Sequence, residues 1–286
     1  MTQCNVCFRH CNIAENALGF CRARTNRMDR IVPANYGRIT SLALDPIEKK
    51  PLRNFYPGSK ILSVGSYGCN LRCPFCQNHE ISWGDEVNTP ESIYKEMTPE
   101  SIVKEAIALR PYGNIGVAFT YNEPLVGYEF VKDTAKLVHD AGMVNVLVTA
   151  GCISLYVADE ISAYIDAMNI DLKGFTDGYY SDFLKGDRKM VMDFIKRAVK
   201  TCHVELTTLI VPGKNDTEEE ISELSSWIAS LTDSGGTVIG NDIPLHISRF
   251  FPAFNMTDTM PTDVGLVYHL SDVARQKLNH VYTGNC

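Results

Sequence analysis

The chain has 286 residues, of which 45% are hydrophobic and 21% charged, and this composition excludes an intrinsically disordered protein. The formal net charge is −7 and the 27 Lys and Arg residues are scattered, so the sequence offers no evident electrostatic footprint for nucleic acid. No run approaches the ~20 apolar residues of a membrane helix, and the first residues do not resemble a signal peptide. We therefore expect a cytoplasmic protein without a membrane partner.

Residues 1–60 contain several turn-forming residues and show no helical periodicity, so we predict a cysteine-rich metal-binding appendage followed by an extended linker. From residue 61 to residue 286, short β-branched runs alternate with longer amphipathic runs, which is typical of repeated βα units. The predicted strands are Ile61–Gly65, Ile115–Thr120, Val144–Thr149, Ala167–Leu172, Val204–Val211 and Asp242–Ser248. The predicted helices are Pro99–Leu109, Val126–Ala141, Ser154–Tyr164, Lys189–Lys200, Glu218–Leu231 and Val264–Lys277.

Six such units predict an α/β fold in which parallel strands form a partial (βα)6 TIM-type barrel. The chain has no room for the two further units of a complete (βα)8 barrel. In barrels of this type, functional residues collect at the carboxyl ends of the strands. Thr98 and Thr217 precede two of the predicted helices and are suited to cap them.

Three cysteines follow the first predicted strand at intervals of four and three residues, namely Cys69, Cys73 and Cys76. In a reducing compartment, clustered thiols indicate metal binding rather than disulfides. Thiolates are suitable ligands for an iron–sulfur cluster, and a set of three leaves one iron open to bind another molecule. Three buried core cysteines or a zinc site are the alternatives, although zinc usually takes four ligands in two pairs.

This spacing, with Phe75 directly before the last cysteine, resembles the signature of the radical S-adenosylmethionine (SAM) superfamily. The resemblance implies a catalytic [4Fe–4S] cluster that cleaves SAM reductively and produces a 5′-deoxyadenosyl radical. That radical would abstract hydrogen from a substrate, so the chain would be an oxidoreductase or an activase. The alternative from another class is a non-catalytic iron–sulfur redox sensor or electron carrier.

Several residues at predicted strand ends resemble SAM-binding positions of the superfamily and of its pyruvate formate-lyase activating enzymes. Tyr121-Asn122-Glu123-Pro124 corresponds to a Gly-Gly-Glu-Pro motif, which implies that Glu123 helps to hold the amino group of SAM. The activating enzymes themselves carry segments similar to those around Thr149, Asp171, Lys173, Val211 and His246. The SAM-binding set implied by resemblance is therefore Phe75, Asn78, Tyr121, Asn122, Glu123, Thr149, Asp171, Lys173, Val211 and His246.

Segments from the whole chain resemble one branch, the radical SAM enzyme of the AmmeMemoRadiSam system. These segments are the amino-terminal cysteines, Thr120–Pro124, His246–Pro252 and Tyr282–Asn285. The resemblance implies SAM, a flavodoxin- or ferredoxin-type electron donor, and Amme-type and Memo-type proteins as partners. An activase of a glycyl-radical enzyme is the alternative within the superfamily.

A second metal question concerns the amino-terminal cysteine site, which we define as Cys4, Cys7, Cys11 and Cys21. Zinc or mononuclear iron would suit the Cys-x2-Cys turn, and a second iron–sulfur cluster is the alternative. His10 could replace one thiol. Cys152 and Cys202 stand alone in the sequence and are expected in the core.

Overall fold

A computed structural model describes residues 1–83 and 94–286 of the chain. Its strands are β1 (Thr2–Gln3), β2 (Asn12–Ile13), β3 (Arg24–Arg27), β4 (Arg30–Pro33), β5 (Arg38–Ile39), β6 (Ser41–Pro46), β7 (Lys60–Gly65), β8 (Lys95–Glu96), β9 (Asn114–Phe119), β10 (Val144–Thr149), β11 (Ala167–Asp171), β12 (His203–Ile210), β13 (Leu245–Arg249) and β14 (Val281–Gly284). Its α-helices are α1 (His79–Ser82), α2 (Pro99–Ala108), α3 (Tyr128–Asp140), α4 (Leu155–Ile161), α5 (Arg188–Ala198), α6 (Glu218–Ala229) and α7 (Val264–Arg275).

The central sheet contains eight strands in the order β14-β13-β12-β11-β10-β9-β7-β6. In this sheet, β7 and the strands from β9 to β14 pair in parallel, and β6 pairs antiparallel with β7 at one edge. The helices α2 to α7 connect successive parallel strands, as right-handed βα crossovers require. The predicted partial barrel is therefore confirmed.

Helices α2 and α6 begin at the predicted residues, and a threonine side chain caps each of them. The Ser101 N–H donates to Thr98 Oγ1 at 3.3 Å, and the Glu220 N–H donates to Thr217 Oγ1 at 3.2 Å. The helix predicted from Val126 begins two residues later, because Pro124–Gly127 forms a 3₁₀ turn. A further 3₁₀ turn at residues 240–242 likewise delays the strand predicted from Asp242 until Leu245.

The segment predicted as a linker belongs to the barrel. Strand β6 extends the central sheet, pairing Ala43 with Ser63, and the residues after β6 close the amino-terminal end of the barrel. Ile47 and Leu52 are fully buried there against Ile61 and residues of three neighbouring strands. We call residues 47–54 the barrel plug. The division into domains at residue 60 stays a prediction.

Alternation along the strands produces two apolar layers. Leu62 and Val64 of β7 face the helices and belong to the large core, whereas Ile61 faces the barrel interior. The same alternation directs Asp171 and Thr207 of the adjacent strands β11 and β12 inward as paired neighbours. Across the described residues, the structure contains no helix that is long and apolar enough to cross a membrane.

Candidate active site

A cavity of about 370 Å³ opens where the parallel strands end. This volume lies in the range of small-molecule sites, which is ~300–1,000 Å³. Most of its wall comes from the loops that follow β7, β9, β10 and β11. The wall consists of Lys49, Lys50, Cys69, Leu71, Cys73, Phe75, Cys76, Gln77, Asn78, Ser82, Thr120, Tyr121, Asn122, Glu123, Val148, Thr149, Ala150, Asp171, Lys173, Thr207, Leu209, Ser248 and Asn285.

The barrel cysteine site, which we define as Cys69, Cys73 and Cys76, lies in this wall. The loop after β7 turns tightly, since the Cys76 N–H donates to the Cys73 carbonyl at 3.2 Å. The Leu71 N–H donates to Cys69 Sγ at 3.4 Å. Hydrogen bonds of this kind to sulfur tune the reduction potential of iron–sulfur clusters. The loop therefore presents three thiols to one cavity from a fixed backbone.

Arg72 fixes the backbone of this loop. Its Nη1 donates to the carbonyls of Cys69 and Leu71, both at 2.7 Å, and its Nη2 donates to the Phe20 carbonyl at 2.7 Å. Its backbone N–H donates to the Leu184 carbonyl at 2.8 Å. A guanidinium that bonds three carbonyls holds their relative positions, so Arg72 joins the cysteine loop to the amino-terminal segment.

The turn after β9 is attached to the same loop. Tyr121 has φ of +76°, the left-handed region that favours glycine, and it occupies the first glycine position of the Gly-Gly-Glu-Pro motif. Its hydroxyl donates to Asp45 Oδ2 at 2.8 Å. Asn122 Oδ1 accepts from the Ser66 N–H at 3.1 Å, and its Nδ2 donates to the Gly68 carbonyl at 3.0 Å. Side chains thus stabilise a conformation that glycine adopts without strain.

Glu123 is 2% exposed, and both oxygens of its carboxylate accept hydrogen bonds. Oε1 accepts from the Thr149 hydroxyl at 2.7 Å and from the Leu125 N–H at 3.1 Å, while Oε2 accepts from the Ala150 N–H at 2.8 Å. Burial raises the pKa of Glu123, and these three hydrogen bonds oppose the rise. The structure thus joins two residues, Glu123 and Thr149, that the sequence pointed to separately.

Lys173 and Asp171 form an ion pair in the cavity wall, with Nζ and Oδ2 2.8 Å apart. Burial by itself lowers the pKa of Lys173, but the charges of Asp171 and Cys73 outweigh burial and raise it. Its backbone N–H donates to the Tyr180 hydroxyl at 3.0 Å, which fixes the loop after β11. Lys173 is therefore a permanent cation beside the thiols.

The three barrel cysteines are half-buried, and loss of solvation sets the acidity of Cys69 and Cys73. Burial raises the pKa of Cys69 well above its ordinary value, with the Glu123 charge adding to the effect. Burial also raises the pKa of Cys73 to about 11, and Lys173 opposes that rise. A positive metal centre stabilises the thiolate form and displaces the thiol protons when it binds. The site suits a cationic metal group better than free thiolates.

Residues 63–228, more than half of the chain, match the family model of the radical SAM superfamily. The chain belongs to this superfamily. An uncharacterized protein of Methanocaldococcus jannaschii is 40% identical over 285 residues, which are 99% of this chain and 81% of that protein. The pyruvate formate-lyase-activating enzyme of Clostridium pasteurianum is 30% identical over 169 residues, which are 57% of this chain and 67% of that enzyme.

Solved structures share the fold of this radical SAM enzyme at low identity. A radical SAM methyltransferase from Sphaerobacter thermophilus has a TM-score of 0.58 at 15% identity, covering 80% of this chain and 67% of that one. QueE from Escherichia coli has a TM-score of 0.51 at 13% identity, covering 87% of this chain and 93% of that one. These likenesses show the fold alone.

Membership of the radical SAM superfamily implies a [4Fe–4S] cluster and SAM, and the residues present fit both groups. Among the described residues of the cavity wall, the cysteines are the three of the barrel cysteine site. Three thiolates leave one iron of a cubane without a protein ligand. Beyond these thiols, the wall supplies carboxylate, ammonium, amide and aromatic groups, which match the mixed polar and apolar character of SAM.

Two residues expected to contact SAM, Val211 and His246, do not line the cavity of this radical SAM enzyme. Val211 is fully buried in the core. His246 Nε2 lies 2.6 Å from Oε2 of the buried Glu205, near the amino-terminal end of β13. Ser248 lies two residues further along the same face of β13 and reaches the wall instead.

Other wall residues were missed in the sequence. Thr207 and Leu209 share the inward face of β12, so strand alternation could have identified them. Lys50 and Asn285 come from the barrel plug and from the residue after β14, and the local sequence carries no signal for either position.

The amino-terminal cysteine site lies beside a second, smaller cavity. All four of its cysteines line this cavity, together with Arg9 and Arg24. Within the part of the chain that the structure describes, no three His, Cys, Asp or Glu side chains are arranged to hold a single metal ion. Cys152 is fully buried in the core, as expected. Cys202 is half-buried and packs against the same core.

Proposed function

We propose that this radical SAM enzyme cleaves SAM reductively at a [4Fe–4S] cluster bound by the barrel cysteine site. The observation that carries this proposal is that three thiols from one tight loop share a cavity with Glu123, Asp171 and Lys173. When bound, the cluster supplies one electron for the cleavage of SAM to methionine and a 5′-deoxyadenosyl radical. The radical takes a hydrogen atom from a substrate that the sequence does not identify.

Different side chains of the cavity wall would contact different parts of SAM. The carboxylate of Glu123 is fixed by Thr149 and is the group that we propose to hold the amino group of SAM. The Asp171–Lys173 pair offers opposite charges next to Cys73. Phe75 is 6% exposed and offers an apolar surface against which the adenine can pack.

Tyr121 and Asn122 attach the Glu123 turn to the neighbouring loops. Asn122 bonds the cysteine loop, and Asn78 Nδ2 donates to the Tyr121 carbonyl at 2.8 Å. These bonds fix the position of the Glu123 turn relative to the barrel cysteine site. Glu123 and the three thiols therefore face the same cavity, where SAM would bind.

Within the superfamily, we infer that the chain is the radical SAM enzyme of the AmmeMemoRadiSam system. The support is the set of sequence segments described above. Amme-type and Memo-type proteins are then its partners, and a flavodoxin- or ferredoxin-type protein is its electron donor. Co-expression with both partners should give a complex in size-exclusion chromatography, and separate elution would contradict this assignment.

A second candidate function is activation of a glycyl-radical enzyme. The observation that favours it is the 30% identity to the pyruvate formate-lyase-activating enzyme of Clostridium pasteurianum. This function predicts a glycine radical, visible by electron paramagnetic resonance (EPR), on a co-purified partner. A partner that remains without such a radical after turnover would contradict it.

The decisive experiment measures 5′-deoxyadenosine. Reconstituted and reduced protein should convert SAM to 5′-deoxyadenosine under anaerobic conditions, and Cys73→Ala should reduce this conversion at least 100-fold. Cys202→Ala is the matched control, because Cys202 lies outside both cysteine sites, and it should retain activity. Equal activity of Cys73→Ala and the control would refute the proposal.

A further inference from the structure

The amino-terminal cysteine site is a built structure rather than a chance grouping of thiols. Cys4 directly follows β1 and Cys11 directly precedes β2, and the Cys4 N–H donates to the Cys11 carbonyl at 2.8 Å. The His10 N–H donates to the Cys7 carbonyl at 3.3 Å, and this turns the loop between the two strands. Cys21 completes the set from the segment before β3.

Two arginines lie beside these thiols. Cys4, Cys7 and Cys21 are only 6 to 7% exposed, and Arg9 and Arg24 line the same cavity. Arg24 is paired with Glu129, with Nη1 2.6 Å from Oε2, so the half-buried Arg9 is the cation that can offset the charge of metal-bound thiolates.

An unsatisfied polar atom lies at the same place. Asn70 is fully buried beside Arg9, which donates to its carbonyl. Its Nδ2 donates to the Cys152 carbonyl at 2.7 Å, and its Oδ1 has no hydrogen-bond partner. A buried polar atom without a partner is costly, and such atoms are concentrated at functional sites.

The arrangement favours a cluster over a single ion. Around one zinc ion, four sulfurs must converge to within ~3.8 Å of one another, because each Zn–S bond is ~2.3 Å long. Here the four thiols line one cavity, and among the described residues no three of them are arranged around a single metal ion. The first three cysteines also repeat, in reverse order, the intervals of the barrel cysteine site, since Cys-x2-Cys-x3-Cys mirrors Cys-x3-Cys-x2-Cys. A cubane bound corner by corner accepts such spacing.

The two cysteine sites are direct neighbours. Gly68, which packs against the backbone of Cys21, is covalently joined to Cys69, so the sites are on the order of 10 Å apart, given ~3.8 Å between consecutive Cα atoms. Gly68 has φ of +90°, and a Cβ there would lie 2.5 Å from the Cys21 carbonyl oxygen. The backbone of the barrel loop therefore packs directly on the amino-terminal cysteine site.

Arginine side chains reinforce this junction. Arg9 Nε donates to the Asn70 carbonyl at 2.8 Å, and Arg72 donates to the Phe20 carbonyl at 2.7 Å. The guanidinium groups of Arg9 and Arg72 lie 3.3 and 4.1 Å from the centroid of the Phe20 ring. A rigid, polar contact joins the sites.

We propose that the amino-terminal cysteine site binds a second [4Fe–4S] cluster, which passes electrons to the cluster of the barrel cysteine site. The relay rests on the proposed function, whereas the second cluster does not. In each event, one electron leaves a low-potential flavodoxin- or ferredoxin-type donor, which is oxidised by one electron. The electron reduces the second cluster and then the barrel cluster, and no covalent bond forms or breaks in these two transfers.

Residues 1–40 also suit an entry point for electrons. They carry six arginines against one aspartate and one glutamate, within a chain whose net charge is −7. This local excess of positive charge attracts an acidic electron donor toward the second cluster rather than toward the cavity.

Metal analysis of the reconstituted full chain tests the second cluster. Two cubanes predict about eight iron and eight sulfide per polypeptide, and Cys7→Ser and Cys73→Ala should each leave about four. Cys202→Ser is the control and should keep about eight. Wild-type protein with about four iron and one zinc would overturn the second cluster, as would four iron that Cys7→Ser leaves unchanged. If four iron persist in Cys73→Ala but are lost in Cys7→Ser, the cluster lies in the amino-terminal cysteine site. That result would contradict the proposed function and leave the second cluster standing.

Stopped-flow reduction tests the relay. Reduced flavodoxin should reduce the barrel cluster of the Cys7→Ser variant at least 10-fold more slowly than the barrel cluster of the wild-type protein. Dithionite, a small reductant that reaches the cavity directly, should reduce the barrel cluster equally fast in both proteins, which checks that the cavity is intact. Equal rates with flavodoxin would overturn the relay.

Discussion

Glu205 connects the barrel plug to two strands, and its replacement gives a sharp test of the fold. Its fully buried carboxylate accepts from the backbone N–H groups of Arg53 and Asn54 at 2.9 and 2.7 Å. Nε2 of His203 and Nε2 of His246 lie 3.0 and 2.6 Å from its oxygens. Burial alone raises the pKa of Glu205, but these four contacts outweigh burial and lower it to about 2.

We expect Glu205→Gln to destabilise the protein by about 3 kcal/mol. Lowering the pKa from 4.5 to about 2 corresponds to ~3 kcal/mol, at ~1.36 kcal/mol per pKa unit. The glutamine amide has similar shape, but its NH₂ group would face two N–H donors. At ~2–4 °C per kcal/mol, the melting temperature should fall by roughly 6–12 °C.

Urea unfolding at pH 7, monitored by circular dichroism, measures this loss. Glu219→Gln removes an exposed carboxylate on α6 and is the control, with an expected change below ~0.5 kcal/mol. Because the folded-state pKa is lowered, the stabilisation is complete above about pH 4.5 and is lost as the pH falls toward 2. The gap between wild type and variant should shrink over that interval. A gap at pH 7 no larger than that of the control would refute the reasoning.

Three further substitutions have defined outcomes. Gly68→Ala forces a Cβ to 2.5 Å from the Cys21 carbonyl oxygen at φ of +90°. The melting temperature should therefore fall by several degrees, and the iron content should drop. Unchanged values would contradict the close packing. Asp45→Asn leaves the 3% exposed Lys50 without its carboxylate. Urea unfolding should show that the free energy of unfolding falls by ~3–5 kcal/mol, whereas the loss of an exposed ion pair costs at most ~1 kcal/mol. His246→Gln should leave the SAM dissociation constant within about twofold by calorimetry, whereas a tenfold increase would place His246 at SAM.

The sequence predicted those parts of the fold that depend on local patterns. Alternating βα periodicity predicted the parallel sheet, because buried strands and amphipathic helices each carry their own repeat. Thr98 and Thr217 predicted two helix starts through local capping. The tight loop from Cys69 to Cys76 likewise needed no tertiary information, since its ligands lie within eight residues.

Other features depend on contacts between distant residues. Ile47 and Leu52 are buried only because the segment after β6 folds under the barrel, so their local sequence resembles a linker. Strand β14 has four residues, too few for a recognisable alternation. His246 occupies the correct face of its strand, but the motif could not show that it lies in the layer of Glu205 rather than at the cavity.

The binding of SAM at an open iron is the central claim, and the EPR spectrum of the reduced cluster tests it most directly. To isolate the barrel cluster, the spectrum should be recorded on the reconstituted Cys7→Ser variant before and after addition of SAM. The account predicts that SAM changes the g values of the signal, since a new ligand alters the electronic structure of the iron that it binds. A reduced-cluster spectrum that stays the same at saturating SAM would contradict the account and would point to an electron carrier instead.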